Sequence, residues 1–138
     1  MKKPVSTGGI IGIAVLIEAV LILLQFIVLR MSTESGQTPA FDSDYIQSRG
    51  FFIFQIIGFF AYAIAAFYLC RRHAGNVFQK LLILVIAGGI IEVGFYIISQ
   101  AHYEGAYLYS VTDKLIGSVI GWIVGKYSEN SKELKMPQ

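Results

Sequence analysis

Three stretches of this chain, residues 8–29, 51–69 and 78–99, are each about twenty residues long and almost wholly apolar. Glu18 and Gln25 interrupt the first, Gln55 the second and Glu92 the third. A helix rising about 1.5 Å per residue needs roughly 20 such residues to cross a hydrocarbon core of about 30 Å. In a chain of 138 residues, three runs of this kind leave too little polar sequence to cover a water-soluble core. Composition agrees: 14% of the residues are charged, against about 25% in soluble domains.

A fourth segment is weaker. Its clean apolar run covers only residues 115–125, too short to cross. It spans if it begins near Ala106 and carries Ser110, Thr112, Asp113 and Lys114 into the bilayer. Tyr107 and Tyr109 then fit one interfacial aromatic belt, and Trp122 and Tyr127 the other. A re-entrant or interfacial last segment is the alternative. The sequence thus predicts an all-α integral membrane protein with one transmembrane domain, residues 1–127. Its four helices, at about 8–30, 50–70, 78–100 and 106–127, pack as an antiparallel bundle. Residues 31–49 form an outer loop that caps the bundle, and 128–138 a polar, frayed cytoplasmic tail. The first span exceeds the roughly 7–15 residues of a signal-peptide core and reads as an uncleaved anchor.

Basic residues orient the spans. Lys2, Lys3, Arg71, Arg72, Lys80, Lys126, Lys132 and Lys135 fall on one side, Arg30 and Arg49 on the other, and Lys114 within a span. This asymmetry places both termini in the cytoplasm, in the inner membrane if the source is bacterial. Arg71, Arg72 and Lys80 are placed to meet anionic headgroups.

Each span has a polar or small face. Glu18 and Gln25 share one on the first span. Gln55, Phe59, Tyr62 and Ala66 share one on the second, and Gly88, Glu92, Tyr96 and Ser99 on the third. On the fourth, Lys114, Ser118, Gly121 and Gly125 lie within about 40° of one another, with Gly117 beside them. The small residues Gly88, Gly117, Ser118, Gly121 and Gly125 read as helix-packing seams. Gly8, Gly9 and Gly12 read as a seam at the start of the first span, within this chain or between copies.

Depth links these faces. Glu92 lies about 12 Å, and Asp113 and Lys114 about 10–12 Å, from the outer ends of spans joined by a short loop, so Glu92 and Lys114 can pair. Gln25 and Gln55 lie about 8 Å in and Glu18 about 18 Å in, where no cation is evident. Glu18, Glu92 and Asp113 against Lys114 would leave a net charge of about −2 in a dry interior, each central charge costing about 2.5–3.5 kcal/mol. Protonation, a bound cation or a water-filled vestibule would relieve it. The simplest arrangement is a Glu92–Lys114 pair with Glu18 protonated and hydrogen-bonded. Glu18, Glu92, Asp113, Lys114, Gln25, Gln55 and Tyr96 therefore form a candidate ion or proton site. The competing reading is an ion pair that fixes helix register.

Other chemistry finds little support. One cysteine, Cys70, permits no internal disulfide, and one cysteine with two histidines suits no metal centre. Cys70 reads as an interfacial thiol, with acylation the alternative. His73 reads as a loop residue and His102, beside Tyr103 and Glu104, as a residue of the outer rim. No serine has a histidine partner in a readable motif, and no cofactor motif or nucleic-acid interface is present. The stretch from Gly9 to Glu18 resembles the first span of small multidrug-resistance transporters. The outer loop here is longer than in that family, and its tryptophans and third-span glycines are missing. Asp113, Gly117 and Gly121 after Glu92 resemble the last part of VanZ-like membrane proteins, without their Arg, Gln and Asn. Neither resemblance transfers a function. Two function classes follow. The first is a non-enzymatic multi-pass protein acting through helix–helix contacts, as a subunit, accessory or immunity-type factor with membrane partners or copies of itself. The second is a small proton- or cation-coupled transporter or channel using the buried charges.

Overall fold

The computed structural model describes residues 5–32, 49–72, 76–98 and 106–133, all of the long elements being helices. These are α1 (Thr7–Ser32), α2 (Arg49–Arg72), α3 (Val77–Ile98) and α4 (Ala106–Glu133). The outer loop beyond Ser32, Lys2, Lys3, His73, Ser99, His102, Tyr103, Glu104 and Lys135 lie outside the described residues. None of the described residues is a proline, so no ring interrupts the backbone ladder of these helices. Ser6 caps α1: its Oγ accepts from the Gly9 N–H at 3.2 Å, satisfying one of the donors a helix start leaves free. Instead of fraying at Ser128, α4 continues to Glu133; no proline or glycine follows Gly125 to stop it before then.

Three helices, α1 to α3, are long and apolar enough to cross a membrane. α4 is long enough but carries Asp113, Lys114 and Lys126 within its length. The surface is what lipid requires. Leu16, Leu23, Phe52, Ile64, Ile90 and Ile97 are all more than 60% exposed, while Glu18, Glu92 and Lys114 are 6% exposed or less. Apolar side chains outside and charge inside is the reverse of a soluble helical domain.

Buried positions recur every three or four residues. On α1 they are Ile10, Ala14, Glu18, Leu21 and Gln25, and on α2 Phe54, Tyr62, Ala65, Ala66 and Leu69. On α3 they are Leu81, Leu84, Val85, Gly88, Glu92 and Tyr96, and on α4 Ser110, Lys114 and Ser118, continued by Gly121 and Gly125. Contacts set the sense of each pair. Gly117, Gly121 and Gly125 face Phe59, Ala63 and Cys70 in turn, so α2 and α4 advance together. Glu18 lies beside Gly88 and Phe26 stacks edge-on to Phe95 at 5.6 Å, so α1 and α3 also advance together. Tyr62 meets Glu18 while Gly58 faces Leu21, so α2 runs against α1. Arg71, Arg72, Lys80, Lys126 and Lys132 consequently gather at one end of the helices, called the basic end below.

The tightest packing joins α2 to α4. A Cβ at Gly117 would lie 2.5 Å from the Phe59 carbonyl oxygen. One at Gly121 would overlap the Ala63 carbonyl oxygen. Backbone cannot yield as a side-chain tip can, so these glycines set the approach. A Cβ at Gly125 would stand 2.9 Å from Cys70 Cβ, so α4 packs close against Cys70, which is buried. Gly8 and Gly12, by contrast, meet nothing within 4 Å. They form no seam with another helix among the described residues, because α1 turns that face away from them. Gly121→Ala is therefore expected to destabilise the protein by about 1–3 kcal/mol, as overpacking does. Gly8→Ala and Gly12→Ala are expected to be neutral or to stabilise by about 0.5–1 kcal/mol. Unfolding in detergent, followed by circular dichroism, measures all three.

Candidate functional site: a lysine shared by two glutamates

Each helix brings at least one polar residue to a common centre. Glu18 comes from α1, Tyr62 from α2, Glu92 from α3, and Ser110 and Lys114 from α4. Ser110 and Lys114 are one turn apart and so share a face. Lys114 Nζ donates to Glu92 Oε2 and to Ser110 Oγ at 2.7 Å. It also lies 3.3 Å from Glu18 Oε1. The ammonium, which has three donors, thus has two hydrogen-bond acceptors and a second carboxylate beside it. Ser110 Oγ in turn donates to Glu92 Oε2. The Tyr62 hydroxyl donates to Glu18 Oε1 at 2.6 Å, and Lys114 Nζ sits 5.6 Å from the centre of the Tyr62 ring. A quadrupolar ring face adds to the stabilisation of a cation in such a place.

The pairing of Glu92 with Lys114 is joined by one that axial depth did not indicate. Glu18, the residue left without a cation at its level, has Lys114 beside it. The flexible lysine stem closes the difference in height. Tyr62 and Ser110 were missing from the candidate site. Their signals were present: Tyr62 shares a stripe with Gln55, and Ser110 stands four residues before Lys114.

Gly88 has a particular task. A Cβ there would overlap the Tyr62 hydroxyl oxygen, stand 2.8 Å from Tyr62 Cζ and lie 3.1 Å from Glu18 Oε1. Only glycine on α3 leaves room for the bond between α1 and α2.

A cavity of about 20 Å³ adjoins the cluster, lined among others by Glu18, Gln25, Gln55, Glu92, Asp113 and Lys114. That is room for about one water. Gln25 is buried, and Gln55 and Asp113 are half-buried. Tyr96 is buried on α3 with its ring tilted against Phe95 at 5.9 Å, and it does not line the cavity. Toward the basic end the interior turns apolar: Ile10, Ala14, Leu69, Leu81 and Leu84 form a continuous cluster, with Trp122 packed on it. Ser118, one turn from Lys114 in that direction, has a buried hydroxyl without a hydrogen-bond partner among the described residues. No group of three or more His, Cys, Asp or Glu side chains able to hold a metal ion occurs among the described residues.

No family model, no curated protein and no solved structure matches this chain.

Two predictions follow from the geometry. Lys114→Met strands two carboxylates and is expected to cost about 3–5 kcal/mol, as breaking a buried pair does. Adding Glu92→Leu should restore only part of this, because Glu18 also loses its cation; full recovery requires Glu18→Gln as well. Detergent unfolding of the single, double and triple variants reads the order. Separately, Tyr62→Phe is expected to cost about 1–2 kcal/mol, the range for a hydrogen bond between helices in a membrane. Gly88→Ala should then cost less in the Tyr62→Phe background than alone, since the hydroxyl it displaces is gone. A double-mutant cycle that closes additively would refute that coupling.

Proposed function

We propose that this chain is a small, non-enzymatic multi-pass membrane protein that acts through helix–helix contacts, as a subunit, accessory or immunity-type factor. Its four helices span the bilayer as an antiparallel bundle with both termini on the cytoplasmic side, in the inner membrane of a bacterial source. The gathering of Arg71, Arg72, Lys80, Lys126 and Lys132 at one end, against Arg30 and Arg49 at the other, supports that orientation. The observation that carries the functional reading is the closure of the charged centre on itself. Lys114 donates to Glu92 and Ser110 and is ion-paired with Glu18. The interior toward the basic end is apolar. Such a centre fixes register and leaves the outer faces to do the work. Gly8 and Gly12, turned away from the other described helices with nothing within 4 Å, offer a partner helix a close approach.

A second reading rests on the acids. Two glutamates share one lysine, and half-buried Asp113 lines the same cavity. A proton- or cation-coupled carrier would use Glu18, Glu92, Asp113 and Lys114, with the unpartnered Ser118 hydroxyl as the next polar step toward the basic end.

Co-purification in mild detergent separates the two. A stable heteromeric membrane partner, lost on placing Leu at Gly8 and Gly12, is the expected result. A lone homo-oligomer that drives pH-dependent cation or proton uptake in proteoliposomes, abolished by Glu18→Gln and Glu92→Gln, would replace the first reading with the second.

A further inference from the structure

Beside the glycine seam that joins α4 to α2, one flank of α3 is left uncovered by the described residues. Alongside their contact at Glu92, Ser110 and Lys114 and on toward the basic end, α3 and α4 border an open groove of about 620 Å³, within the roughly 300–1,000 Å³ of small-molecule sites. It is lined by Leu82, Gly89, Val93 and Ile97 on α3 and by Val111 and Leu115 on α4, and every lining residue is apolar or glycine. Leu82 to Ile97 covers about 22 Å along the helix axis, longer than one leaflet's share of a hydrocarbon core of about 30 Å. Gly89 deepens the floor, with only Val111 Cγ2 at 3.6 Å from its Cβ position, and Gly94 meets nothing within 4 Å.

The groove has a charged end. On α4, Val111, Leu115, Trp122 and Lys126 lie within about 60° of one another around the axis. The stripe that borders the groove therefore leads to Trp122 and exposed Lys126, whose Nζ sits 5.6 Å from the indole centre. Trp122 and Lys126 line a second recess of about 260 Å³ there. Arg71, Arg72 and Lys80 stand at the same end. An apolar channel of acyl-chain shape that runs to an interfacial tryptophan and a cluster of cations complements one molecule: a lipid with an anionic headgroup.

We propose that the groove between α3 and α4 is a phospholipid site, holding an acyl chain along Leu82–Ile97 with the headgroup phosphate against Lys126. The proposal rests on the chain lying in a bilayer and is independent of any protein partner.

Native mass spectrometry of the full chain in mild detergent tests it, with phosphatidylglycerol and phosphatidylcholine of identical acyl chains added in equal amounts. Phosphatidylglycerol should be retained in preference. Lys126→Gln should lower its retention about fivefold, the effect of one basic residue at a membrane surface, and leave phosphatidylcholine unchanged. Gly94→Leu, built into open space, and Gly89→Leu should lower retention of both lipids. Equal retention of the two lipids by the wild type would overturn the proposal. So would retention indifferent to both glycine variants, or a dimer without lipid that Gly94→Leu dissolves, which would make the groove a self-interface. Recovery of the chain in the soluble fraction without detergent would instead remove the membrane reading itself.

Discussion

One ammonium group ties the four helices together. Lys114 on α4 reaches Glu92 on α3 and Glu18 on α1, and Glu18 accepts from Tyr62 on α2. Helices already in lipid gain nothing from hiding apolar surface against each other, because the tails around them are equally apolar. Packing and polar contacts must decide which faces meet. A buried charge is the most discriminating contact available: rotate α1, α3 or α4 by a quarter turn and a carboxylate or the ammonium leaves its partners for an apolar surface. The network thus contributes less through the strength of each bond, about 1–2 kcal/mol at most for a hydrogen bond between such helices, than through the cost of every alternative register.

Glycine serves this centre in two ways. Gly117 and Gly121 let the α2 backbone come close to α4, which fixes the height and rotation at which Lys114 enters the interior. Gly88 works at the level of a single hydroxyl, clearing the space in which Tyr62 bonds to Glu18. Beside that seam, one flank of α3 is left uncovered by the described residues. The cation–π contacts at the basic end, Arg71 over Phe67 at 5.5 Å and Arg72 over Tyr68 at 4.8 Å, suit side chains whose stems lie along apolar surface with charged heads at its edge.

Much of this is legible in the residues. Helix positions follow from the apolar runs, and the buried faces from the 100° advance, since Glu18, Gln25, Gly88, Glu92 and Lys114 could not all face lipid. What stayed hidden depends on reach and on partners. Axial depth places Cα atoms, whereas Lys114 acts through an ammonium at the end of a four-carbon stem, so its contact with Glu18 is invisible to a count of residues. Tyr62 is ambiguous for another reason: a tyrosine suits a lipid belt or a polar interior equally, and only the position of Gly88 shows which. Gly8 and Gly12 match the spacing of Gly117 and Gly121, yet spacing carries no information about which helix, if any, faces them. Tyr96 shares the stripe of Glu92 but lies one turn away, against Phe95 rather than the cavity.

The interior is divided along its length, and the division bears on function. Around Lys114 it is polar and charged, with a cavity of about 20 Å³. Toward the basic end Ile10, Ala14, Leu69, Leu81 and Leu84 close it with aliphatic packing. An ion moving from Glu18 toward that end would leave its last carboxylate for hydrocarbon, at the cost that keeps charges out of membranes. Among the described residues Ser118 places a buried hydroxyl in that direction, and one hydroxyl does not replace a hydration shell. Opening a path would mean separating α4 from its neighbours, and the carbonyl contacts of Gly117 and Gly121 hold α4 where it is. The same residues that bring the charged groups together therefore also close the interior around them.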